Sequence, residues 1–129
     1  MRAVLVLGLV LVVAYTACGS SDSGEGGADD VDQPAGSLLT VVGLDERFQP
    51  QELEAPAGPV TITFDNQDEG VLHNIRFYEG SDSDGRFIRK SELERGPEVQ
   101  TLSMDLQPGS YFYDCEVHPA SMTGTLLVR

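Results

Sequence analysis

The chain has 129 residues, of which 21 are acidic and 8 basic, giving a formal net charge of −13. That length leaves room for one domain. The charge balance excludes a nucleic-acid binder, because no stripe of Lys and Arg is available to neutralise phosphates.

Met1-Arg2 is a minimal basic start, and Ala3 to Ala14 (AVLVLGLVLVVA) is an unbroken apolar run. Its length suits the core of a signal peptide and is short for a membrane span. Residues 1–17 are therefore expected to direct export. The run ends in Tyr15-Thr16-Ala17-Cys18. Small residues before a cysteine at this place resemble the lipobox of bacterial lipoproteins, in which the cysteine is diacylated and becomes the mature N-terminus. Tyr15 stands where that pattern usually has Leu. The resemblance implies a lipid anchor at Cys18; the alternative is ordinary signal cleavage nearby. Gly19 to Gly36 (GSSDSGEGGADDVDQPAG) carries Val31 as its only large apolar residue. It cannot bury enough surface to offset the entropy of ordering, so residues 18–36 are read as a flexible acidic tether. The folded domain is expected over residues 37–129, near the small end for a self-supporting core. With Cys18 lipidated, Cys115 has no partner inside that fold. Its thiol must be inert, reactive or bound to something.

Period-two alternation of apolar and polar residues predicts strands near Leu38 to Val42, Glu52 to Ala55, Val60 to Asp65, Asn74 to Tyr78, Val99 to Asp105, Ser110 to Asp114 and Gly124 to Val128. Pro50, Pro56 to Pro59, Asp68-Glu69-Gly70, Gly80, Gly96-Pro97 and Pro108-Gly109 separate them. About seven short strands punctuated in this way predict an all-β fold, a Greek-key antiparallel β-sandwich. Residues 81–95 (SDSDGRFIRKSELER) fit the rhythm less well. Phe87, Ile88 and Leu93 are expected on a short helix or on a loop covering one edge. Leu106 to Tyr111 has the look of a tyrosine corner, which makes Tyr111 structural. Met104 alternates with core positions and is expected in the core.

Cys115, His118 and Met122 occupy one short loop, YDCEVHPASM, between two predicted strands. The only other histidine, His73, begins an upstream strand after a turn. Two imidazoles, a thiolate and a weak thioether form the donor set associated with blue copper: thiolate and thioether favour Cu(I), whereas imidazole suits both oxidation states. Such a site is suited to one-electron exchange. Asp114 and Glu116 flank the thiolate, and alternation turns them away from it, so both are expected to be solvated.

Gly109 to His118, followed by Met122 and Gly124-Thr125-Leu126, resembles the C-terminal motif of cupredoxins of the plastocyanin and azurin type. Leu72-His73-Asn74-Ile75 is similar to that family's upstream His-Asn-Val segment, and Val60 to Asn66 to the strand before it. The resemblance covers roughly Phe48 to Arg129. It implies one type 1 copper held by His73, Cys115, His118 and, as a distant axial donor, Met122. His118 would be the solvent-edge imidazole through which electrons leave. Asn74 would tie the ligand loops together and place hydrogen bonds near the sulfur.

The expected function is single-electron transfer between extracytoplasmic redox proteins, by a monomeric, non-enzymatic carrier anchored to the membrane through Cys18. The expected location is the periplasm or the outer face of the cytoplasmic membrane. Pro119, Ala120, Val71 and Leu72 would form a small apolar docking patch around His118. The alternative is copper storage or delivery to a membrane oxidase, although a delivery site is usually richer in Met or His. An enzyme would need further histidine-rich sites or a second cysteine in the loop.

Overall fold

The computed structural model describes residues 36–129. The expected signal peptide, the expected anchor at Cys18 and the expected tether up to residue 35 lie outside the described residues. Eleven strands follow in chain order. They are β1 (Ser37–Leu44), β2 (Arg47–Gln49), β3 (Glu52–Ala55), β4 (Gly58–Asn66), β5 (Leu72–His73) and β6 (Arg76–Glu79). Then come β7 (Phe87–Lys90), β8 (Glu94–Arg95), β9 (Glu98–Leu106), β10 (Gly109–Asp114) and β11 (Thr123–Val128). One sheet has the order β2-β1-β4-β9 and a second the order β3-β11-β10-β6-β7, while β5 pairs with β8 alone.

The alternation seen in the sequence becomes the interior of this sandwich. Val60, Ile62 and Phe64 of β4 and Leu102, Met104 and Leu106 of β9 face inward from one sheet. Tyr111 and Tyr113 of β10 with Leu126 and Val128 of β11 meet them from the other. Each such side chain contributes about 1.5–3 kcal/mol relative to exposure. Phe48 joins the layers, its ring centroid 5.8 Å from that of Phe64 and 5.3 Å from that of Tyr113. Residue 124 opposite Tyr113 must be glycine, since a Cβ there would lie 2.2 Å from the tyrosine ring. The Tyr113 hydroxyl donates to the Pro50 carbonyl at 2.8 Å, and burial pushes this phenol well above its ordinary pKa.

The sheets are mixed, whereas the sequence predicts antiparallel pairing throughout. β1 pairs with β4 in parallel, and β3 with β11. A period of two marks which residues face inward and is the same for either pairing direction, so alternation carries no information on orientation. Of the four strands absent from the expectation, β2, β5 and β8 have two or three residues, too short for a period to register, and β7 (FIRK) does not alternate. The predicted strand from Asn74 begins only at Arg76, because the backbone at Ile75 is engaged sideways by Ser91: Ile75 N–H donates to Ser91 Oγ at 3.1 Å and Ser91 N–H to the Ile75 carbonyl at 3.0 Å.

No helix occurs among the described residues, so residues 81–95 are a loop followed by β7 and β8. Phe87 reaches Tyr78 across the strands, with ring centroids 5.7 Å apart, while its neighbour Ile88 packs against the core. Consecutive residues on opposite faces are strand geometry. The tyrosine corner is present: Tyr111 Oη donates to the Gln107 carbonyl at 2.8 Å. Tyr111→Phe is expected to lower unfolding free energy by about 1 kcal/mol in urea titrations.

Candidate metal centre

Backbone turns place the donors. His73 ends β5, Cys115 follows β10, and Met122 directly precedes β11. The intervening loop is closed on itself: Cys115 N–H donates to the Met122 carbonyl at 3.1 Å, and Met122 N–H to the His118 carbonyl at 2.9 Å. Opposite it, the Asn66 to Asp68 turn leading to His73 is crossed by residue 96. That position must be glycine, because a Cβ would come within 2.4 Å of the Asp68 carbonyl.

Three donor atoms converge. His73 Nδ1 and His118 Nδ1 lie 3.2 Å apart, and Cys115 Sγ lies 3.8 Å from the first and 4.0 Å from the second. Metal–ligand bonds of roughly 2.0–2.3 Å put the corners of a trigonal site about 3.5–3.7 Å apart, a spacing that these distances bracket. His73, Cys115 and Met122 are fully buried, and Cys115 forms no disulfide among the described residues. His118 keeps 23% of its side chain accessible.

The outer nitrogens are already engaged. His73 Nε2 is 2.7 Å from Asp68 Oδ2, and His118 Nε2 is 3.5 Å from Glu46 Oε1. Burial alone would push the Asp68 carboxyl up. The Glu46 N–H, the His73 imidazole and the Asp45 N–H outweigh burial and hold it below its ordinary value. An ionised carboxylate only accepts, so His73 donates from Nε2 and turns its other nitrogen, Nδ1, inward. Two imidazole nitrogens and a soft sulfur converging in an enclosed space form a donor set that suits a cation. By softness and number the set of His73, Cys115, His118 and Met122 fits a single type 1 copper.

Asn74 bridges the two ligand segments. Its Nδ2 donates to Glu116 Oε2 at 2.9 Å, and its Oδ1 accepts from Glu116 N–H at 3.0 Å. The Asn74 amide and the Lys90 ammonium hold Glu116 below the ordinary carboxylate range. The expectation of a solvated Asp114 is wrong: it is buried and accepts both Nε and Nη2 of Arg76 at 2.7 Å. Its partner sits directly opposite on β6, and that pairing cannot be read along one strand. Next to His118 in the chain, Pro119 and Ala120 are exposed and Val117 is 42% exposed, while Val71 and Leu72, before His73, are half-buried.

Asp68, Glu46 and Arg76 are absent from the sequence-based set of functional residues. Asp68 lies in an Asn-Gln-Asp-Glu-Gly turn and reads as turn chemistry. Only its position five residues before His73 hinted at more.

A sequence comparison with curated proteins returned no match. Among solved structures, auracyanin A, a "blue" copper protein from the green thermophilic photosynthetic bacterium Chloroflexus aurantiacus, superposes with a TM-score of 0.65 at 23% identity, covering 74% of this chain and all of that one. Azurin Az-iso2 from the obligate methylotroph Methylomonas sp. strain J gives 0.61 at 19% identity, over 72% of this chain and 98% of that one. A reduced Cu(I) form of amicyanin gives 0.56 at 26% identity, over 74% and 85%. The profile of the cupredoxin-like domain matches residues 7–128. With that match across nearly its whole length, and with the sandwich and donor set in place, the chain belongs to the cupredoxin-like family.

Proposed function

We propose that the protein is a type 1 copper carrier that passes single electrons between extracytoplasmic redox partners, with His73, Cys115, His118 and Met122 as ligands. The observation that carries this reading is the convergence of two imidazole Nδ1 atoms and one cysteine sulfur, all within 4.8 Å of one another. Bound copper supplies a one-electron couple. The chain holds the donors in one arrangement through Asn74, the closed loop from Cys115 to Met122 and the buried core behind them. It leaves one edge open at His118, ringed by Val117, Pro119 and Ala120, where a partner can approach the imidazole without entering the fold. A patch this small suits brief complexes. The leader and Cys18 support export and a lipid anchor, which would hold the domain on its tether near membrane partners.

Titrating the purified protein with Cu(II) is expected to develop an intense visible band that saturates at one equivalent and bleaches on reduction. Binding of Cu(I) alone, with no band from Cu(II), would overturn the carrier reading in favour of copper delivery.

A further inference from the structure

The hairpin turn between β1 and β2 is built from Asp45 and Glu46, both with left-handed backbone, at φ of 52° and 53°. A two-residue turn of this kind favours Asn-Gly, and a side-chain-bearing residue is strained at either position. Both strained residues donate their N–H groups to one carboxylate, that of Asp68, Asp45 at 2.7 Å and Glu46 at 3.0 Å. The same carboxylate takes His73 Nε2. The turn so held places the Glu46 carboxylate beside His118 Nε2. One side chain thus governs the outer nitrogen of both histidines, one directly and one through a turn that would not form easily without it.

Resting on the copper reading above, we infer that Asp68 is a positioning residue that sets the reduction potential. It holds His73 with Nδ1 free and keeps a second carboxylate on His118. Hydrogen bonding from a ligand imidazole to a carboxylate raises the basicity of its other nitrogen. Two negative charges beside the ligands favour Cu(II) over Cu(I), and both depend on Asp68.

The test is voltammetry on the copper-loaded protein and on Asp68→Asn, Glu46→Gln and the double variant, alongside the visible spectrum. Asp68→Asn is expected to keep the band and weaken Cu(II) about tenfold relative to Cu(I), a rise of about 59 mV. Glu46→Gln alone raises the potential by less. In the Asp68→Asn background it adds almost nothing, because the turn has already let Glu46 go. An unchanged potential in Asp68→Asn with an intact band, or full additivity of the two changes, overturns the assignment. A wild-type protein without the band defeats the copper reading instead. The tautomer in metal-free wild-type protein, read by nitrogen NMR, then decides the geometry, and a His73 proton on Nδ1 refutes it. That measurement also serves if the variants fail to fold.

Discussion

Cys115→Ser is expected to abolish the visible band altogether while leaving the sandwich folded. The band requires charge transfer from a soft thiolate to Cu(II), and a hydroxyl is neither ionised near neutral pH nor soft. Serine is close in volume, and the site is fully buried at Cys115. The nearest acceptors, His73 Nδ1 and His118 Nδ1, stand 3.8 Å and 4.0 Å from the sulfur, beyond the reach of a hydroxyl, so the serine is also expected to cost some stability as an unpaired buried polar group. Cu(II) should still be held weakly by the two imidazoles, as a faintly coloured complex without the intense band, which equilibrium dialysis detects. A band surviving in the serine variant would mean that the chromophore is not at this loop, and the convergence of His73, Cys115 and His118 would lose its functional meaning.

The largest stability loss is expected from Arg76→Met. It leaves the Asp114 carboxylate, with only 2% of its side chain accessible, as an uncompensated buried charge at the end of β10. Breaking a buried pair from one side costs about 3 kcal/mol; the lower end of the usual range is appropriate because Arg76 retains 22% accessibility. Removing both charges in Arg76→Leu/Asp114→Leu should recover most of the loss, since a buried pair and a well-packed apolar pair are close in free energy. Urea unfolding of the single and double variants measures both. A change of under about 0.5 kcal/mol in Arg76→Met is what an ordinary surface position gives. That result would restore the sequence-based view of Asp114 as solvated.

What the chain discloses by itself and what it withholds divide along physical lines. Val60, Ile62 and Phe64 announce a half-buried strand, because alternation is local. Tyr111 announces its corner, because hydroxyl and acceptor are four residues apart. The loop Cys115 to Met122 is legible for the same reason, and His73 is found because no other histidine exists to pair with His118. The pairing directions of β1 and β3, the sideways grip of Ser91 on Ile75, the Arg76–Asp114 pair and the reach of Asp68 to Asp45 and Glu46 all depend on segments that meet only in the folded chain. Charged residues suffer most in this respect. A carboxylate reads as solvated until the cation or amide opposite it is known, which is why Asp114 and Asp68 were both undervalued.

The closeness of Cys115, His118 and Met122 along the chain has a thermodynamic consequence. Three of the four proposed donors lie within eight residues, so an unfolded polypeptide still carries a flexible chelator and lacks only His73, 42 residues upstream of the cysteine. A metal stabilises a protein only by the excess of its affinity for the native state over that for the unfolded one. Copper should therefore raise the melting temperature by less than its dissociation constant would suggest, the shortfall being the affinity of the denatured loop. The His73→Ala variant, whose native donors are those the denatured chain already has, should show almost no thermal shift on adding copper. The contribution of folding to metal binding is thus concentrated in the delivery of a single imidazole.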